Sequence, residues 1–320
     1  STAPDRLTGL LLSTLMMMDR RTTTNNQHDR TGDPRDSRGG RSRADGAGDR
    51  SGDRSGTPRK EVEVSLSDGL EPIACPEKVM GMFGEYGISF EPGEVETLGL
   101  YLAHLMDMNT RMNLTAIRDV ESAWERHLFD ALTLVPVLRE MGESGKIVDI
   151  GSGGGIPGIP LAIVMPTFEF TLVDATKKKT AFLSLVVEKL GLKNVTVINS
   201  RAEGLGQDKG TKVLQGYTGG HREQYDAAMA RAVGKVAMIA ELTVPLVKIG
   251  GLVVLTKGEK ADEEVAEAKK ALHMLHTHHI GTVETPTGRV VVLEKQLATP
   301  KMYPRKDGEP KRMPGGIVNT

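Results

Sequence analysis

Residues 146–160 read KIVDIGSGGGIPGIP, and this stretch decides the fold. The apolar run at 147–150 predicts a short buried strand, and Pro157 with Gly158 indicates the start of a helix. The glycines between them predict a tight loop, because glycine adopts positive φ and has no Cβ to hold a ligand away. A strand, a glycine loop and a helix in this order place backbone N–H groups against a nucleotide-like ligand.

Two cofactor patterns overlap in this loop. Gly153-x-Gly155-x-x-Gly158 matches the dinucleotide pattern, which is weak when it stands alone. Residues 149–155, Asp-x-Gly-x-Gly-x-Gly, match the acidic pattern typical of enzymes that use S-adenosyl-L-methionine (SAM). A glycine-rich turn without any ligand is the third interpretation. The rest of the chain has to separate them.

The residues after 146 alternate between strand and helix patterns. Strands are predicted at 147–150, 168–174, 195–198, 226–230 and 252–257, with helices at 158–164, 177–190, 236–247 and 259–276. Two further strands, 279–284 and 289–295, flank Pro286-Thr287-Gly288 and predict a hairpin. The fold class is therefore α/β, a Rossmann-like class I SAM-dependent methyltransferase sheet of about seven strands with an antiparallel last hairpin. A dehydrogenase would need a second Rossmann half or a substrate domain instead.

Four regions are expected along the chain. Residues 1–60 hold few large apolar side chains and predict a disordered extension. Residues 61–140 predict a small helical region, with helices at 76–86, 94–112 and 121–139 and Asp119 as an N-cap. Residues 141–299 form the methyltransferase domain, in which 204–224 is expected to be a solvent-exposed insertion. Residues 300–320 form a basic tail, either solvated or in contact with phosphate.

Composition narrows the function classes. The 320 residues carry a net charge of -1, so any RNA contact must use a local basic patch. The single cysteine, Cys75, excludes a disulfide framework within the chain, and no metal site is expected. No apolar run reaches the length of a membrane span, and a cytoplasmic location is expected.

Polar residues at the ends of the predicted strands are the candidate cofactor ligands. Asp174 ends the second strand, where an ionised carboxylate could accept two ribose hydroxyls, although it could instead cap the next helix. Ala202 and Glu203 follow the third strand and could read the adenine edge, or could be ordinary loop polarity. Arg231 and Lys257 end the fourth and fifth strands; Arg231 could pair with the methionine carboxylate or an RNA phosphate, and a surface salt bridge is the alternative for each.

Eight segments together resemble the RsmG (GidB) family of 16S rRNA guanine-N7 methyltransferases. They are MNLTAIRD (112–119), ERHLFDAL (125–132), VDIGSGGGIPGIPLAIV (148–164), FTLVDATKKKTAFL (170–183), SRAEGL (200–205), ARAVG (230–234), LTKG (255–258) and YPRKDGEPKR (303–312). The combination is far more specific than any one segment. The extension before residue 60 has no recognised counterpart in the family, and the 204–224 loop is longer than usual.

The resemblance implies SAM as cofactor and 16S rRNA, or a small ribosomal subunit particle, as substrate. The cofactor residues that it and the strand ends together predict are Gly151, Gly153, Ile156, Asp174, Ala202, Glu203 and Arg231. Asn113, His127 and Lys257 match family positions expected near the RNA. Arg305 and Lys306 are further candidates for RNA contact, because they lie in the basic tail. On its own, His127 is better explained as a structural residue on a helix than as a catalytic one.

Guanine N7 has a free in-plane lone pair, so no catalytic general base is expected and the task is positioning. The protein is expected to be a monomer. Two alternatives stay open at this point: a non-catalytic RNA-binding or ribosome-assembly protein that keeps the fold, and an NAD-dependent oxidoreductase.

Overall fold

The computed structural model describes residues 64–210 and 220–315. The extension predicted for residues 1–60 lies outside this part of the chain. The division into four regions stays a prediction.

A seven-stranded sheet forms the centre of the fold. Its strands are β1 Lys146–Ile150, β2 Glu169–Asp174, β3 Val195–Asn199, β4 Tyr225–Arg231, β5 Val247–Lys257, β6 Thr277–Thr285 and β7 Gly288–Lys295. The order across the sheet is β3-β2-β1-β4-β5-β7-β6. Strands β1 to β5 are parallel, whereas β7 runs antiparallel to both β5 and β6. The predicted fold class, including the closing hairpin, is confirmed.

Helices cover both faces of the sheet. They are α1 Glu77–Glu85, α2 Glu94–Asn109, α3 Val120–Ala123, α4 Asp130–Leu132, α5 Val135–Arg139, α6 Gly158–Val164, α7 Lys177–Lys189, α8 Ala202–Gln207, α9 Val236–Thr243, α10 Ala261–Met274 and α11 Glu309–Arg312. A π-helical segment, Trp124–Phe129, joins α3 to α4, and a 3₁₀ turn, Val244–Leu246, follows α9. Among these residues, no helix has both the length and the apolar character needed to cross a bilayer.

The single helix predicted over 121–139 is wrong. It begins as expected, with the Asp119 carboxylate accepting a hydrogen bond from Ser122 N at 2.8 Å. The π-helical segment then widens it, and a turn at residues 133–134 separates α4 from α5. Pro136 explains the break, because proline has no N–H to continue the helical hydrogen bonds. Pro245 likewise ends the helix predicted over 236–247 early, at Thr243.

Two apolar cores lie on the opposite faces of the sheet. One contains Phe83, Leu105 and Trp124 from the helices before β1, together with Ile147 and Phe170 of the sheet. The other packs α9 and α10 on the opposite face. Because the N-terminal helices share a core with β1 and β2, burial of apolar surface fixes them over the first half of the sheet.

The 204–224 segment is not simply an exposed insertion, as the sequence suggested. Its first residues belong to α8, and His221 and Arg222 are buried. The Arg222 guanidinium donates to the carbonyl oxygens of Gly206 (2.8 Å), Thr299 (2.8 Å) and Tyr303 (2.7 Å). A buried guanidinium needs several acceptors, so this residue joins three separate parts of the chain. Residues 211–219 lie outside the described part.

Candidate functional site

The strand order reverses at β1, whose neighbours are β2 and β4. In open α/β sheets, ligands bind beyond the carboxyl ends of the strands at such a reversal. A cavity of about 420 Å³ lies there, lined by Ile150 and Gly151 after β1 and by Val173 and Asp174 at the end of β2. This volume lies within the range of small-molecule sites.

The glycine loop after β1 adopts a conformation that side chains would strain. Gly151, Gly153 and Gly155 have φ of 75°, 58° and 101°. A Cβ on Gly155 would lie 2.6 Å from Ile159 Cδ1, so this position has no room for one either. The backbone N–H of Gly151 donates to Val173 O at 2.8 Å, which ties the loop to the end of β2.

The acidic residue of the loop pattern, Asp149, serves the start of α6. Its Oδ2 accepts a hydrogen bond from Gly158 N at 3.3 Å. Gly158 packs so closely that a Cβ would lie 2.2 Å from Leu172 Cδ2. Burial raises the pKa of Asp149 to about 7, against hydrogen bonds that act to lower it. Asp149 is therefore a buried support of the loop and does not line the cavity.

Asp174 lines the cavity and also organises its floor. Its Oδ2 accepts from Gly153 N at 3.1 Å, and its Oδ1 accepts from Thr176 N at 2.7 Å. Each carboxylate oxygen can accept two hydrogen bonds, so each keeps one lone pair for a ligand hydroxyl. Asp174 is not the N-cap of the next helix, which is Thr176, but its bond to Thr176 N still leaves it able to contact a ligand.

Ala202 and Glu203 line the cavity on the β3 side. The Glu203 Oε1 accepts from Gly308 N at 2.8 Å and pairs with Arg201 Nη2 at 3.0 Å. Burial acts to raise the pKa of Glu203, but these hydrogen bonds outweigh it and hold the pKa below its usual value. The carboxylate is thus ionised and already partnered within the chain.

Arg231 does not line the cavity, although it was predicted to complete it. Its Nε lies 3.3 Å from Asp130 Oδ2, and its Nη2 donates to Arg126 O at 2.6 Å. It therefore fastens the π-helical segment and α4 to the carboxyl end of β4. Its Nη1 is buried and has no hydrogen-bond partner among the described residues. Ile156, also predicted to flank the cofactor, instead packs against the apolar core.

Two residues predicted to contact RNA form ion pairs within the protein. The Lys257 ammonium pairs with Glu264 at 2.7 Å, donates to Gly234 O, and leaves 8% of its side chain exposed. The Arg305 guanidinium donates to both carboxylate oxygens of Glu241, at 2.8 and 2.6 Å, and is buried. Both charges are already paired with carboxylates of the chain, and the expected contact of these residues with RNA stays a prediction.

Of the other three residues predicted near RNA, two lie on the surface and one is buried. Asn113 and Lys306 are exposed. His127 is buried, its Nε2 lies 2.8 Å from Thr115 Oγ1, and burial lowers its pKa to about 4, with the positive charge of Arg231 adding to the effect. The loop that carries Asn113 adjoins the glycine loop, since a Cβ on Gly154 would lie 3.6 Å from Leu114 Cβ.

Comparison with known proteins identifies the family. Residues 94–291 match the family model described as rRNA small subunit methyltransferase G. The chain belongs to this family. The ribosomal RNA small subunit methyltransferase G of Sorangium cellulosum is 44% identical over 233 residues, which cover 73% of this chain and 93% of that protein. The protein of the same name from Bacillus cytotoxicus is 35% identical over 244 residues, 74% of this chain and 98% of that protein.

A more distant likeness exists to a solved structure of a SAM-dependent methyltransferase from Aquifex aeolicus. It is 19% identical, covers 55% of this chain and 93% of that chain, and has a TM-score of 0.39.

Family membership confirms the expected enzyme class, a methyltransferase, and its cofactor, SAM. The oxidoreductase alternative is not favoured. The cavity suits SAM on its own chemistry. Asp174 offers free lone pairs for the ribose hydroxyls, and the bare backbone of Gly151 lets a ligand approach closely. The described residues contain no group of three His, Cys, Asp or Glu side chains placed to hold a metal ion.

The sequence analysis missed several residues that line the cavity. They are Ala175, Thr176, Lys179, Ser200, Val233, Met238, Leu242, Pro310 and Lys311. Ala175 and Thr176 directly follow a predicted strand end, so the position alone could have indicated them. Pro310 and Lys311 belong to the basic tail, for which the sequence predicts only phosphate contact. No local pattern connects that tail with the cofactor.

Proposed function

We propose that this protein transfers a methyl group from SAM to N7 of a guanine in 16S rRNA, acting on the RNA or on a small ribosomal subunit particle. The observation that carries the proposal is the cavity at the carboxyl ends of β1 and β2, with Gly151 and Asp174 in its wall, in a chain of this methyltransferase family. The choice of N7 rests on the resemblance of the sequence segments to the family.

The residues of the cavity hold the cofactor in this proposal. Asp174 accepts the ribose hydroxyls, while its bonds to Gly153 N and Thr176 N keep the carboxylate in place. Gly151 brings its backbone against the ligand. Ala202 and the apolar side chains of Met238 and Leu242 border the remaining wall. A carboxylate held by two backbone donors loses little freedom on binding, which favours affinity.

The chemistry requires positioning above all. When bound, SAM supplies a methyl group on a cationic sulfur, which a nitrogen lone pair can take without prior loss of a proton. Guanine N7 offers such a lone pair, so no side chain has to act as a general base. His127 is neutral at pH 7 because of its low pKa, and we assign it a positioning function through Thr115.

The substrate surface in this proposal lies beside the glycine loop. Asn109 Oδ1 accepts from Leu114 N (2.9 Å) and Thr115 N (3.0 Å), which fixes the loop that presents Asn113. An amide on a fixed loop can hydrogen-bond to a base edge or a phosphate. The target guanine must be accessible, so an unpaired or extruded nucleotide is the expected substrate. A cytoplasmic location and a monomeric enzyme complete the proposal.

The test is methyl transfer from labelled SAM to small-subunit RNA that lacks its N7-methylguanine, followed by reduction and aniline cleavage, which cuts at N7-methylated guanine. A single cut is expected. Label on the RNA without a cut would move the target to another atom. SAM binding without any label on RNA or on assembled particles would favour a non-catalytic RNA-binding protein. The Asp174→Asn variant is the matched control for labelling that does not depend on the cavity.

A further inference from the structure

Residues 303–313 lie beyond the residues 94–291 that match the family model. Two of them nevertheless line the same cavity as Asp174 and Ala202. These are Pro310, which is buried, and Lys311, which is exposed. Met238 and Leu242 of α9 line this cavity as well. The cavity wall therefore combines the glycine loop, the strand ends, α9 and the chain near its C-terminus.

One attachment joins this segment directly to the cavity wall. Glu203, which lines the cavity, accepts a hydrogen bond from Gly308 N at 2.8 Å. Gly308 has φ of 77°, a conformation that side chains other than glycine rarely adopt. Arg201 reinforces the contact, since it pairs with Glu203 at 3.0 Å and with Asp307 at 3.2 Å. The N-terminus of α11 is thereby fixed against the β3 side of the cavity.

A second attachment is buried. Arg305 donates from its backbone N (2.9 Å) and its Nε (2.8 Å) to Glu241 Oε1, and from its Nη2 to Glu241 Oε2 (2.6 Å). The same Nη2 donates to Met313 O at 2.8 Å, which closes the segment around the guanidinium. Burying an ion pair costs desolvation free energy, so the pair adds little net stability. Its three hydrogen bonds to Glu241 nevertheless hold Arg305 in one orientation. This arrangement sets Pro310 and Lys311 at the cavity.

We propose that Pro310 and Lys311 are cofactor-binding residues that complete the adenine end of the SAM site, together with Met238 and Leu242. This inference rests on the proposed function only in taking SAM as the ligand. A flat aromatic ring needs apolar surface on its faces, which the proline ring, the thioether and the leucine side chain supply. The ammonium group of Lys311, at the exposed rim, can donate to a ring nitrogen or to a hydroxyl. The segment 303–313 is thus part of the enzyme's binding site.

The experiment compares two double variants by calorimetric titration with SAM and, separately, with its demethylated product, in the absence of RNA. Pro310→Ala/Lys311→Ala changes the cavity wall. Pro300→Ala/Lys301→Ala makes the same two changes in the same stretch of chain, away from the cavity. Loss of about 50 Å² of apolar contact corresponds to about a tenfold rise in Kd. We expect that rise for the first variant, with the second staying within about twofold of wild type.

A Kd for Pro310→Ala/Lys311→Ala within about twofold of wild type would overturn the inference, as would an equal loss in the control. Melting of each ligand-free variant shows whether it is folded. Should the double variant not fold, Lys311→Ala alone, which changes an exposed side chain, is expected to raise Kd about threefold, and an unchanged Kd would again contradict the inference. Wild type that binds SAM but methylates no rRNA would defeat the proposed function and leave this inference standing.

Discussion

Replacing Asp174 with asparagine tests the centre of the cofactor site. Each carboxylate oxygen accepts one backbone N–H, from Gly153 at 3.1 Å and from Thr176 at 2.7 Å. An asparagine amide offers one oxygen and one NH₂ group, so whichever way it turns, a donor faces a donor. The site also loses the negative charge that strengthens hydrogen bonds to ribose hydroxyls.

The size of the effect follows from these contacts. Weakening two charge-assisted hydrogen bonds to the ribose by about 1–1.5 kcal/mol each gives about 2–3 kcal/mol, or roughly 30- to 150-fold in the Kd for SAM. The unsatisfied backbone donor costs a further 1–3 kcal/mol of folding stability. Calorimetric titration measures the first quantity and urea denaturation measures the second.

Asp226→Asn is the matched control. This carboxylate also accepts a backbone N–H, from Lys146 at 2.8 Å, and pairs with Lys248 at 2.7 Å, but it does not line the cavity. It should lose stability and keep its affinity for SAM. A SAM affinity of Asp174→Asn within about threefold of wild type would show that this carboxylate does not hold the ribose.

Three further changes test the supports of the site. Gly158→Ala places a Cβ 2.2 Å from Leu172 Cδ2 and should lower the free energy of unfolding, measured by urea denaturation, by about 1–3 kcal/mol. Gly81→Ala, at an exposed position with open space around it, should leave that free energy undiminished. His127→Gln should flatten the pH dependence of the free energy of unfolding. Because the pKa of His127 is lowered to about 4 in the folded protein, the wild type loses as much as about 3 kcal/mol of stability as pH falls from 6.5 to 4. Asp149 contributes in the opposite direction, and comparing the two proteins at each pH cancels that contribution. Arg305→Met leaves the buried Glu241 carboxylate without its partner and should lower the free energy of unfolding by about 3–5 kcal/mol, measured by thermal or urea denaturation. A loss under 1 kcal/mol would contradict the interpretation of this contact as a buried ion pair.

The sequence predicted the parts of the site that depend on strand ends. Parallel strands bring their carboxyl ends to one edge, so Gly151, Asp174 and Ala202 could be placed together from their positions after β1, β2 and β3. The same rule brought Arg231 to the correct edge but could not reveal its partner. Asp130 comes from a helix about a hundred residues earlier, and the π-helical segment that presents it has no sequence signature.

The pairing of Lys257 and Arg305 has the same physical origin. The exposure of Lys257 and Arg305 depends on whether a carboxylate packs beside them, and Glu264 and Glu241 do so through tertiary contacts. The helix break at Pro136 is different, because proline forbids a continuous helix and its position is visible in the sequence. Hydrophobic periodicity thus specifies elements, while the pairing of charges between elements depends on packing that periodicity does not contain.

The hydrogen bond between Glu203 and Gly308 has a consequence for how the enzyme is made. On the ribose side, Gly153 and Asp174 are 21 residues apart, and their contact can form as soon as β1 and β2 have been synthesised. On the proposed adenine side, the partners are 105 residues apart, so their contact cannot form until Gly308 has been synthesised. A ribosome that stalls before this glycine therefore holds a chain with half a binding site. The proposed adenine side is complete only after Gly308 has been added to the chain.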